Sequence, residues 1–509
     1  MGRAHTGRLA AATLAALIAG GCATLPEGPV DAGEAPTRAC HNLFERADAA
    51  ARAADTVDAR AEPIAEFPWL RVDRPLASFR DEVTSGPRFN AWLRHLARLD
   101  AEARSHELAN LPAERRDALA AQWEPAARAR GLPPEPETAL ATCREILNDE
   151  LRRDDDARER LRAAATVPDA YATWMRVVGL YPVARLFGRP QVVALHERLA
   201  EGLETGPDTD ITRDYQVPTE SLGDTAPTVA EAAATARTLR RDALGIPVPD
   251  ERERATLFSA HAPLWQVETT SEADRPGALV LEDGGRPVVD TERPVEYRHF
   301  SWTRIDELVL PQLNYTVWFP ERPRDGWIDP YAGHLDAVTW RVTLGPAGRV
   351  LAYDSIHACG CYYTLLPGPS WRAVADLPLR EEPVFAPLPA PQPGPNEQIR
   401  VSLESGPHYI LAVDTVERDD APTDAPLAPL PSDHLRSLPL PNGGHASAYD
   451  SDGLIPASRR AERFFLWPFG VPSAGAMRQE GHHAIAFIGR RHFDDPRLLE
   501  GLLERDTPE

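Results

Sequence analysis

The chain has 509 residues and a formal charge of −22, from 55 basic and 77 acidic side chains. All the basic ones are arginine, and a chain without lysine forms no Schiff base, anchors no pyridoxal phosphate and has no phosphate-loop lysine. Its acidity repels nucleic acid and anionic headgroups and predicts no nucleic-acid partner.

In chain order, Arg3, His5 and Arg8 make a basic head. Ala10 to Ala19 is apolar, about ten residues, too short for a hydrocarbon core of ~30 Å. Gly20 and Gly21 lead into Cys22. The segment resembles a bacterial lipoprotein signal, although Ala19 stands where leucine is more common. It predicts a leader over 1–21, diacylglycerol on Cys22 and a tether over 22–38, with the membrane reached through the lipid anchor. Ala23 is not the aspartate associated with inner-membrane retention, so the resemblance implies the periplasmic face of the outer membrane.

The fold class expected is α+β: a helical domain over 39–204, a linker and helix over 205–255, and a β-rich domain with Pro-rich loops over 256–509. Phe89, Trp92, Leu93, Leu96 and Leu99 share one helical stripe, started by Ser85 or Gly86-Pro87. Helices are also expected near 111–130, 138–151 and 154–165, the last solvated. The aliphatic stretch Val177 to Leu199 predicts a centrally packed helix. Thr228 and Glu231 make a capping box. Beyond Leu257 the period becomes two. Hairpins are expected around Asp283-Gly284-Gly285, between Val338–Leu344 and Arg349–Ile356, and around Ser405-Gly406-Pro407. A last strand is expected at Ala484–Ile488 and a short helix at Leu498–Leu503.

Four cysteines follow Cys22. Cys40 and Cys143 lie in the helical region, and an oxidising compartment favours a structural disulfide between them. Cys359 and Cys361 follow His357 at i, i+2, i+4, so an extended chain points all three the same way. Gly360 lets the chain bend and bring them together. Three readings stay open. Imidazole and two thiolates suit zinc or copper, with a fourth ligand from His334, His408, His445, His482, His483 or His492. The thiols also suit a redox pair with His357 beside it. A local disulfide in a non-catalytic structural or interaction protein is the third. Asp354, Ser355 and His357 contain the members of a hydrolase triad but lie too close along one strand to align in order.

Three stretches, Leu70–Phe79, Gln312–Pro320 and Tyr353–Tyr362, resemble a group of uncharacterised proteobacterial proteins, many with lipoprotein-type signals. The resemblance implies an envelope lipoprotein of α+β fold and carries no activity, ligand or catalytic residue. Relatives of that kind can carry histidine where Tyr363 stands, which leaves this chain one potential ligand short.

Overall fold

The computed structural model describes residues 35–218, 227–375, 377–418 and 424–506. The leader, Cys22 and most of the tether lie outside the described residues. The first helices are α1 (Pro36–Ala54), α2 (Arg74–Ala77), α3 (Gly86–Asn110), α4 (Ala113–Arg130), α5 (Pro136–Arg153) and α6 (Asp155–Ala164). With a hairpin of β1 (Glu62–Ile64) and β2 (Phe67–Val72) they enclose one apolar core. Phe89, Trp92, Leu93 and Leu96 of α3 are buried in it and Leu99 packs against it, as the stripe predicts. Cys40 of α1 and Cys143 of α5 stand at disulfide distance, with Sγ atoms 2.06 Å and Cα atoms 5.1 Å apart.

Helices α7 (Thr173–Val178) and α8 (Tyr181–Thr205) depart from expectation. They do not join that core. They pack on the C-terminal segment, where a Cβ on Gly179 or Gly188 would collide with Pro468 or the Phe469 ring. Most of their aliphatic side chains face outward, so the stretch is peripheral rather than central. Apolar content reports that a face needs a neighbour; it does not choose solvent-side or core-side placement.

The expected linker supplies β3 (Thr212–Gln216), and α9 (Val229–Thr238) follows with the Thr228–Glu231 capping box formed. Next come α10 (Glu251–His261), β4 (Leu264–Glu268), and the hairpin of β5 (Ala278–Leu281) and β6 (Pro287–Asp290). Strands β7 (Val295–Ile305), β8 (Leu308–Arg322), β9 (Gly333–Leu344), β10 (Val350–His357) and β11 (Thr364–Pro367) form an antiparallel meander. After a short β12 (Trp371–Ala373), β13 (Glu397–Leu403) and β14 (Ile410–Glu417) make a hairpin. Strands β15 (Ala425–Pro426) and β16 (Ala428–Pro431) lie in a Pro-rich stretch expected to be irregular. Both take sheet edges, where a missing N–H is tolerated.

The six-stranded sheet runs β11-β10-β9-β8-β7-β16, and a five-stranded sheet runs β14-β13-β4-β3-β15. Alternation along β8 sends Leu313, Tyr315, Val317 and Phe319 into a core shared with Trp265, Val401 and Leu403 of the second sheet. The other face of β8 carries Gln312, Asn314, Thr316 and Trp318. It is buried beneath the N-terminal region and the C-terminal segment.

Ala484–Ile488 is not a strand; a single bridge, Ala484 to His492, is its only ladder contact among the described residues. Ile485 N–H donates to Arg491 O at 3.0 Å, and side chains satisfy the next three N–H groups. Ala486 N–H donates to Tyr171 Oη at 3.2 Å, and Phe487 and Ile488 N–H donate to Glu382 Oε2 at 2.8 and 3.0 Å. A helix, α11 (Arg463–Leu466), precedes this segment, and α12 (Leu498–Leu502) forms where a terminal helix is expected.

Candidate functional site

Antiparallel pairing of β9 with β10 places His357 opposite Val338. Opposed residues and their i±2 neighbours share a face, so Asp336 lies diagonally beside His357. The two meet at 3.3 Å, Nδ1 to Oδ1. The turn before β14 brings His408 to the same carboxylate, Nδ1 to Oδ2 at 3.0 Å, and Arg460 Nη2 approaches Oδ1 at 3.5 Å. His408 lies flat on Phe319, ring centroids 3.9 Å apart.

Asp336 is fully buried. Burial opposes its charge, but electrostatic attraction to His357 and Arg460 and the imidazole hydrogen bonds outweigh this and hold its carboxyl well below the usual range. An ionised carboxylate only accepts, so both imidazoles donate through Nδ1. Burial lowers the His357 pKa despite the carboxylate beside it.

From His357 the chain turns tightly. Gly360 N–H donates to His357 O at 2.7 Å, and His357 N–H donates to Cys361 O at 3.0 Å. Gly360 has φ +88°, and a Cβ there would sit 2.4 Å from Ala484 O. The bend anticipated at this glycine is therefore enforced by close backbone approach. Cys359 and Cys361 are unbonded thiols, the first buried and the second partly exposed. Cys361 N–H donates to Cys359 Sγ at 3.4 Å. The Cys361 thiol also donates to Cys359, and this bond together with burial pushes its pKa well above the ordinary thiol value. Arg478 Nε donates to Cys359 O at 3.3 Å and ties the turn to the C-terminal segment.

Cys361 lines a cavity of about 290 Å³ whose wall on one side is α8, through Val192, Leu195 and Leu199. Opposite stand Arg322, Tyr331, Tyr362, Tyr409 and Glu462. Arg322 donates to the Tyr362 and Tyr409 hydroxyls, both at 3.0 Å. Burial lifts the Glu462 carboxyl to about 7 although Arg460 and Arg322 pull it down. Glu382, also on the cavity wall, is lifted by burial to about 7. Leu335, Tyr362 and His408 all have positive φ, at 61°, 60° and 54°. Three non-glycine residues in that region around one site mark strain held by the surrounding packing.

No family model, curated protein or solved structure matches the chain.

The histidines separate. Only His408 of the six proposed fourth ligands reaches the His357 carboxylate partner. His334 bonds Pro287 O, His482 bonds Ala59 O, and His492 pairs with Asp169. His445 is exposed, and His483 Nε2 is buried with no hydrogen-bond partner. Among the described residues no three His, Cys, Asp or Glu side chains gather in a geometry that could hold a metal ion. Asp354 is bound by Arg341 rather than aligned with Ser355 and His357. Glu462, Glu382, Arg322, Arg460 and Tyr409 carry no motif. Asp336 alone had a signal, since extending the β9–β10 register past His357 puts it on the same face.

Proposed function

We propose that this chain is a lipid-anchored envelope protein whose Cys359–Cys361 dithiol exchanges with disulfides at the floor of the tyrosine-lined cavity. The leader and Cys22 support the anchor, on the periplasmic face of the outer membrane. The Cys40–Cys143 pair at disulfide distance supports an oxidising compartment. The observation that carries the reaction is the asymmetry of two thiols in contact: Cys361 faces the cavity, while Cys359 is buried behind it.

The exchange runs in two displacements. Cys361 thiolate attacks one sulfur of a bound disulfide, forming a mixed disulfide and expelling the first substrate thiolate. Cys359 thiolate then attacks Cys361 Sγ, expelling the second and leaving a Cys359–Cys361 disulfide. The substrate gains two electrons, and a dithiol donor returns them to the pair. Glu462, lifted to about 7, lines the same cavity as Cys361 and is a carboxylate there to accept the Cys361 proton. Asp336 fixes His357 and so the base of the turn.

The test uses chain purified from periplasm and a small aromatic disulfide. Cys359→Ser is expected to accumulate a mixed disulfide on Cys361, the wild type to turn it over, and Cys361→Ser to do neither. Alkylation of Cys361 should be slow at neutral pH and rise steeply above pH 9, following its raised pKa. Zinc or copper retained by the thiols, with no exchange, would replace this reading with metal handling. Failure of radiolabelled palmitate to enter through Cys22 would remove the anchor.

A further inference from the structure

We infer that the outward face of α7, α8 and α11 is a docking surface for a phospholipid bilayer. On α8, Val183, Leu186, Phe187, Pro190 and Val193 recur at 0, 3, 4, 7 and 10, which is one helical stripe, and all are exposed. Toward the cavity α8 turns Val192, Leu195 and Leu199 beside Gln191, His196 and Arg198, so it carries apolar residues on both sides while only one side is covered. A helix of that kind ordinarily has neighbours all round. Trp174 on α7 is 64 % exposed, Phe187 is 74 % exposed and Phe465 on α11 is 67 % exposed. The three helices meet through Trp467–Phe469, whose Phe469 ring packs edge-on to Tyr181. Isolated exposed apolar residues need no explanation, but a continuous aromatic and aliphatic surface marks a contact.

Charge identifies the occupant. The chain carries −22 overall, yet Thr173 to His196 contains no acidic residue and includes Arg185, partly exposed, and Arg189, whose Nη1 donates to Glu381 O at 2.8 Å. This apolar stretch, unlike the chain as a whole, carries no carboxylate to repel headgroups. Tryptophan and phenylalanine flanked by arginine suit the interface, where apolar rings enter the acyl boundary and guanidinium groups stay among phosphates. No described helix is long and apolar enough to cross a membrane, so the contact lies on the bilayer. Ala23 to Ala35, fully extended, reach at most about 45 Å, which keeps an anchored body within range of the bilayer. This inference takes the nearby membrane from the envelope reading. The docking itself needs no acyl chain.

The experiment therefore uses the full chain with Cys22→Ser and no anchor. It is mixed with vesicles of phosphatidylethanolamine and phosphatidylglycerol, and in parallel with phosphatidylcholine alone, and sedimented. Binding to the anionic vesicles is expected, weaker on phosphatidylcholine. Phe187→Ser with Phe465→Ser should lower the bound fraction by at least about tenfold with an unchanged far-UV spectrum. If that pair unfolds the chain, Trp174→Ser alone serves the same comparison. No sedimentation with either vesicle, or sedimentation indifferent to these substitutions, overturns the inference. So does a concentration-dependent dimer that the same substitutions dissolve, because the face is then covered by a second copy. Palmitate labelling of the wild type reads the anchor separately, so the two readings fail independently.

Discussion

Asp336 accepts a hydrogen bond from His357 through Oδ1 at 3.3 Å, at the point where β10 gives way to the cysteine turn. The same carboxylate holds His408 and faces Arg460 without access to solvent. Asp336→Asn leaves a buried guanidinium without its counter-charge and two oriented imidazoles without the carboxylate that accepts from both. A loss of about 3–5 kcal/mol is expected in denaturant unfolding. An unchanged midpoint would show that Asp336 does not brace the turn.

Gly360→Ala forces a Cβ toward Ala484 O at 2.4 Å and places alanine at φ +88°. The conformation alone costs about 1–3 kcal/mol, and the backbone contact adds to it. Thermal unfolding of G360A measures this. The same protein should alkylate faster at Cys361, because the turn that packs the two thiols together has opened.

Glu462 gives a pH signature. Burial raises its folded pKa from 4.5 to about 7, so the folded state holds a proton that the unfolded state has released between those values. Stability from this group is present below pH 4.5 and lost as pH rises through about 7. Glu462→Gln keeps the neutral form at every pH. Its stability relative to wild type should therefore grow between pH 5 and pH 8, by on the order of 3 kcal/mol at most. A difference that is flat with pH would mean Glu462 ionises normally.

The Cys40–Cys143 pair spans 103 residues of sequence. A cross-link of that length constrains the unfolded chain by about 4–5 kcal/mol in the loop-entropy account. Cys40→Ser with Cys143→Ser should lower unfolding stability by that order and leave Cys359 and Cys361 chemistry unchanged. Electrophoretic mobility insensitive to reductant in the wild type would show that the link is absent.

Local pattern fixed the elements whose environment is written within them. The α3 stripe and the alternation through Val338 to Leu344 each name a buried face by its own period, and the cysteine turn is readable because its glycine and three side chains are contiguous. The same logic failed at Val177–Leu199, where apolar residues were read as central and proved to be a half-covered surface. It failed again at Ala484–Ile488, whose strand-like composition is satisfied by Tyr171 and Glu382 side chains from remote segments.

What this sequence determined unaided was the α+β division, most helix positions, the hairpins and the location of the His-Cys-Cys turn, since each follows from spacing within a few residues. Only tertiary structure decided what surrounds that turn. His408 is 72 positions from Asp336, and Glu462 and Arg460 come from the C-terminal segment. Their convergence depends on how two sheets and a late segment pack. Burial then sets which groups are charged, a property of the enclosed space that no stretch of sequence contains.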